Sequence, residues 1–137
     1  MATAAASPPL FTRGYPYFWG SSPRANLWNQ ATIEQLVQAG VKSIGVTYKS
    51  GDRISAATGN GFAAGAKAAG ITVYKNEAIP YSRLGAGQED LLGLIKVMEE
   101  FYENSLDAVA VGGLPVSFFA PNLSALAMYR ISIELNL

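Results

Sequence analysis

The chain has no cysteine and no histidine, and only 15% of its 137 residues are charged. Without cysteine it forms neither disulfides nor thiolate metal sites, and redox chemistry gives no clue to its compartment. Without histidine, histidine-based catalytic triads and most transition-metal ligand sets are excluded. Ten basic residues balance ten acidic ones and are scattered along the chain. Nucleic-acid binding needs clustered Lys and Arg, so that class is excluded as well. No stretch is long and uncharged enough to span a membrane. Residues 116–137 come nearest, but Pro121 and Arg130 interrupt them. Residues 1–8 lack the basic flank and apolar core of a secretory signal.

What is present is apolar: half the residues, in a length that suits one domain with a buried core. The organising stretch is 41–80. Residues 43–48 form a short β-branched run that reads as a buried strand, followed by a turn at Lys49, Ser50, Gly51 and Asp52. An Ala- and Gly-rich helix then runs to Gly70, with Asp52 as its cap and Gly70 as its stop. Ile54, Ala57, Phe62, Ala66 and Ala69 stand near helical spacing, and Ala57, Gly61, Gly65 and Ala69 give a thin face for close packing on a sheet. Residues 71–74 are a second strand. The unit is βαβ, hence parallel with a right-handed crossover.

Upstream, residues 16–20 read as an aromatic edge strand, and Ser22-Pro23 as the start of a helix running to about Ala39. Trp28, Ile33, Leu36 and Val37 face the core in that reading, and Gly40 ends the helix. Downstream, 88–104 is an amphipathic helix with Leu91, Leu94, Ile95, Met98, Phe101 and Tyr102 on one stripe. Glu99, Glu100 and Glu103 fall on its polar face, which reads as solvated rather than catalytic. Residues 106–111 are a third buried strand. The whole predicts an α/β fold, a three-layer open parallel sheet in the strand order 2-1-3. Its ligand crevice lies beyond the C-terminal ends of the first and third strands. Tyr48 sits at one of those ends, where it either stacks on a ligand or is merely a half-buried strand residue. Arg53 either pairs with a ligand carboxylate or is a solvated loop charge.

Thr58 to Gly65, TGNGFAAG, invites a dinucleotide reading. It lacks the G-x-G-x-x-G spacing and lies inside the predicted helix, away from any strand-to-helix turn. Close helix packing explains its small residues, and no cofactor or metal is expected.

Three stretches together resemble the type I periplasmic-binding-protein family, in particular its leucine and branched-chain amino-acid-binding group. They are Ala4-Ala5-Ala6-Ser7-Pro8 with the run Arg13-Gly14-Tyr15-Pro16-Tyr17-Phe18; Gly40 to Val46 with Gly65 to Val73; and Asp107-Ala108-Val109-Ala110-Val111-Gly112-Gly113. The resemblance covers roughly 4–115. It implies a Rossmann-like ligand-binding lobe of a two-lobed receptor that closes on a small solute such as an amino acid. It carries the first-lobe ligand turn onto Ala4, Ala6 and Ser7. The second-lobe contacts fall on Arg53 or Ile54 and, beside Gly113, on Leu114. The family's hydroxyl position is Ala6 here, with Ser7 adjacent, and both second-lobe contact positions lack the family's aromatic side chain. The implied domains are 1–22 as a remnant of the first lobe and crossover, 23–115 as the second-lobe domain, and 116–137 as an atypical, irregular tail. The expectation is an incomplete chain whose tail translates non-coding sequence. An ABC transporter permease or the membrane part of a receptor is the implied partner of the full-length parent, in an extracytoplasmic location. The alternative is a nucleotide-cofactor enzyme on a Rossmann-like fold, which requires a Gly-rich turn directly after a strand.

Overall fold

A computed structural model describes residues 7–14, 16, 23–80 and 88–112, the last segment without the side chains of 88–92 and 94. The aromatic run 17–20, Ser22, Leu91, Leu94 and the tail 116–137 lie outside that description. In chain order the elements are α1 (Pro8–Phe11), a 3-10 turn (Ala25–Leu27), α2 (Gln30–Gln38), β1 (Ser43–Lys49), α3 (Arg53–Ala68), β2 (Thr72–Ile79), α4 (Gln88–Glu103) and β3 (Ala108–Gly112). The sheet is parallel throughout, in the order β2-β1-β3. This is the expected α/β topology.

Helices cover both faces. Ile44 and Val46 of β1 point to one side, where they pack with Phe62, Ala63 and Ala66 of α3 and Ile33 of α2. On the other side Val97, Met98 and Phe101 of α4 pack on Ile79, Leu106, Val109 and Val111. Period-two alternation in β1 and β3 thus feeds two separate clusters, as a doubly covered sheet requires. Gly45 is the hinge of the second cluster: a Cβ there would overlap the Phe101 ring, so its bare Cα admits that ring against the strand.

Local structure follows the expected chemistry at most boundaries. Asp52 Oδ1 accepts from the N–H of Ile54 at 2.8 Å and of Ser55 at 3.2 Å, capping α3. α2 and α3 end in the same motif. Gly40 and Gly70 take positive φ of 79° and 82°, and the N–H of the next residue reaches back to Leu36 and Ala66 respectively.

Four expectations need correction. The first helix does not run from Pro23: a 3-10 turn comes first and α2 begins at Gln30. Trp28 spends its indole N–H on the Pro23 carbonyl at 2.9 Å, and Val37 is 46% exposed, so neither anchors the core as Ile33 does. β2 extends to Ile79, well past Tyr74, because it is an edge strand whose polar Lys75, Asn76 and Glu77 alternate without disturbing a core. A bulge at Tyr74 shifts the register between Ile44 and Gly45 and sends both Tyr74 and Lys75 towards α4. Lastly, α3 meets the sheet through Ser55, Thr58, Gly59, Phe62, Ala63 and Ala66. The expected thin face turns elsewhere: a Cβ on Gly61 would overlap the Asn26 backbone, and one on Gly65 would lie 2.6 Å from Ile33 Cδ1. Those glycines admit the 3-10 turn and α2.

Candidate functional site

The C-terminal edge of the sheet is formed where β1 and β3 end side by side, Tyr48 opposite Gly112. The first turns of α3 press onto both. A Cβ on Gly59 would lie 2.9 Å from the Tyr48 side chain, and one on Gly112 would lie 2.6 Å from the Gly59 backbone and 3.0 Å from the Ser55 carbonyl oxygen. Two glycines facing each other therefore let helix and strand touch backbone to backbone at the rim. The Tyr48 side chain packs on that helix and is half-buried, which favours its structural reading.

Of the expected site residues, Tyr48, Arg53 and Ile54 are brought to this rim. Arg53 opens α3 and is exposed, with no partner among the described residues; Ile54 follows it, half-buried. Ser7 precedes α1 and makes no side-chain capping bond there. Ala4, Ala6, Gly113 and Leu114 lie outside the described residues.

Two hydroxyls near the rim had no signal in the sequence. Ser55 Oγ and Thr47 Oγ1 belong to residues only 1% and 0% exposed, and neither has a hydrogen-bond partner among the described residues. Ser55 lies on the α3 side of the sheet; Thr47 alternates with Val46 and faces the α4 side. A partnerless buried hydroxyl is visible only once burial is known.

The rim is unsuited to phosphate. Asp52 already occupies the first free N–H groups of α3 and brings a negative charge to the place where a phosphate would sit. The Gly-rich run of α3 is spent on packing. Among the described residues, no group of three or more Asp or Glu side chains could hold a metal ion.

The charged clusters lie elsewhere and are structural. Lys75 sits between Glu77 and Glu100, 2.7 Å from a carboxylate oxygen of each, and Glu100 also accepts from the Tyr74 hydroxyl at 3.2 Å. Hydrogen bonding to Glu100, then to Glu77, pushes the Lys75 ammonium above its ordinary range, and the same contact with Lys75 lowers Glu100. Glu100 is therefore no solvated bystander, contrary to the reading of its helix face. It ties α4 to β2. At the opposite edge, Asp107 Oδ2 accepts from the N–H of Lys42 at 2.8 Å and of Ser43 at 2.9 Å, which lowers its carboxyl. A groove of about 480 Å³ runs between α2 and the C-terminal half of α3, lined by Ile33, Gly61, Gly65 and Ala68 among others, and does not reach the rim.

No protein-family model matches the chain, and no curated protein matches its sequence. Solved structures do match. A substrate-binding protein of an ABC transporter from Desulfitobacterium hafniense superposes with a TM-score of 0.74 at 19% identity, over 94% of this chain and 36% of that one. The same description in complex with Leu gives 0.70 at 19% identity, again over 94% and 36%. An extracellular ligand-binding receptor from Verminephrobacter eiseniae gives 0.63 at 15% identity, over 96% and 35%. The chain spans about a third of the length of these structures, and its fold is that of a lobe of a periplasmic binding protein.

Proposed function

We propose that the chain is a non-catalytic solute-binding lobe that meets a small ligand at the rim formed by Tyr48, Arg53, Ile54 and Gly112. In this reading Gly113 and Leu114 extend the rim, and Ala4, Ala6 and Ser7 contribute the first-lobe turn. The observation that carries it is the rim itself. On a fold like that of substrate-binding proteins, the C-terminal sheet edge of this chain carries Arg53, which has no partner among the described residues, and a helix start already closed to phosphate by Asp52. An amino acid of the leucine class is the ligand proposed, because the resemblance lies with that group and one matching structure is a complex with Leu. The whole protein would then work with an ABC transporter permease or as a receptor ectodomain, outside the cytoplasm. The nucleotide-cofactor enzyme is disfavoured, since Asp52 fills the place its phosphate needs.

Thermal unfolding of the purified chain against a panel of amino acids tests this. A ligand that binds only the folded state raises the midpoint as its concentration exceeds its dissociation constant. A midpoint raised by leucine or a relative, and restored towards the ligand-free value by Arg53→Ala, is the expected result. A cooperative transition that no amino acid moves would remove the proposal.

A further inference from the structure

β2, Thr72–Ile79, pairs with β1 alone among the described residues. The Ile79 carbonyl accepts from the Ser50 N–H, so Ile79 turns its backbone to β1. The pairing keeps one register from Lys75 to Ile79, and by alternation Lys75 and Glu77 turn inwards as well. Asn76 and Ala78 then hold their N–H and C=O outwards, and both residues are exposed. Such an edge is a template for a further strand.

Lysines and bulges are the usual guards of an edge strand. Here the bulge lies at Tyr74, ahead of the free stretch. Lys75 is drawn onto the α4 face, 2.7 Å from a carboxylate oxygen of Glu77 and of Glu100, so its ammonium does not bar the approach. The Asn76 side chain is turned to α3, where it donates to Asn60 Oδ1 at 2.6 Å. Bare backbone remains along the edge.

The charges of the strand decide what fits there. When two identical strands pair antiparallel about a two-fold axis, the central residue meets its own equivalent and the residues flanking it meet each other. Centred on Asn76, the pair sets Lys75 opposite Glu77 of the second copy, and does so twice. Asn76 exchanges both backbone bonds with its equivalent, and each Lys75 and Glu77 form the closer, non-hydrogen-bonded pair, with Cα atoms about 4.5 Å apart. Centred on Lys75 or on Glu77, the strands would set like charges opposite each other, which is destabilising. Unlike charges and outward backbone thus agree on one register.

We propose that the β2 edge is the self-association surface of this lobe: a second copy adds its own β2 antiparallel, centred on Asn76, with Lys75 of each copy facing Glu77 of the other. The overlap is short, which places the dimer among weak, transient contacts. The inference goes beyond the solute-binding proposal and is independent of it, since it concerns the sheet edge and not the rim.

Sedimentation equilibrium and hydrogen exchange on the full chain, at a series of concentrations, test it. Expected is a monomer–dimer equilibrium with Kd between about 10 μM and 1 mM, and protection of the Asn76 amide that grows with the dimer. Lys75→Glu and Glu77→Lys each put like charges opposite and should weaken the dimer at least ~10-fold. Mixed in equal amounts, the two variants should restore it, because each strand then meets unlike charges. Ala78→Pro removes an outward N–H, leaves the bonds to β1 in place and should also weaken it. If a charge variant fails to fold, Ala78→Pro and the wild-type Asn76 amide decide. A monomer up to about 1 mM would overturn the proposal. So would a dimer in which the Asn76 amide exchanges freely, or a mixture of the folded charge variants that stays monomeric. Protection of Asn76 in the monomer would assign the edge to another segment of this chain and overturn it as well.

Discussion

At the scale of single residues, the decisive positions are those where a side chain is missing. Gly61 lies against the backbone of Asn26, which cannot rotate away as a side chain would. Gly61→Ala is expected to cost about 1–3 kcal/mol by overpacking. Gly93 provides the contrast: it lies within α4, and a Cβ there meets nothing within 4 Å. Gly93→Ala should stabilise by about 1 kcal/mol through helix propensity alone. Opposite shifts in the urea midpoints of the two variants would check the pair. Thr47 gives a third residue-scale expectation. Its hydroxyl is buried without a partner among the described residues, so Thr47→Val keeps the shape and removes the desolvation cost. A rise in stability of about 1 kcal/mol is expected, read by the same denaturation. None of these signs is visible in the sequence, where Gly61 and Gly93 are both merely glycines in a helix.

At the scale of elements, α4 shows how a periodic stripe becomes an anchored helix. Its hydrophobic pattern was legible, but which members carry the load was not. Phe101 and Met98 are buried, whereas Tyr102 from the same stripe is 53% exposed and Val97, outside that stripe, is buried. Phe101 wins because Gly45 leaves room for it on β1. Phe101→Ala should therefore cost about 3–5 kcal/mol. The ion pairs of Lys75 are more than a third exposed on the lysine side, so solvent screens them and Glu100→Gln should change the urea midpoint only slightly. The C-terminal end of α4 repeats the motif that closes α2 and α3, with Leu106 N–H reaching back to the Phe101 carbonyl, but Ser105 takes the positive φ of 51°. A side chain is unfavourable in that conformation, so Ser105→Gly should raise the thermal midpoint, by about 0.5–1 kcal/mol in stability.

At the scale of the whole molecule, β3 is joined to β1 at the N-terminal edge by Asp107, whose carboxylate accepts from two N–H groups and the Ser43 hydroxyl at the start of β1. Because folding lowers this carboxyl below its ordinary value of 3.8, the backbone of Lys42 being the largest cause, its contribution is complete above that value. It is lost as the pH falls through the lower folded value. Glu100 acts in the same direction, lowered from 4.5 chiefly by Lys75. Thermal midpoints should thus fall on acidification below about pH 4, and Asp107→Asn should lower the midpoint at neutral pH and flatten that fall. A variant whose acid limb matches that of the parent chain would show that Asp107 contributes nothing.

The sequence by itself determined the class and order of this fold. The β-branched run of β1, the Asp52 cap, the glycine stops at Gly40 and Gly70 and the stripe of α4 are local signals, and local chemistry is enough to read them. It also determined that no thiol or imidazole chemistry is available. Only the tertiary structure decided which glycines touch what, how far β2 extends, that Glu100 is tied to Lys75, and that Ser55 and Thr47 bury hydroxyls beside the rim. Each of those depends on a neighbour distant in the chain, and no window of residues contains its own neighbours.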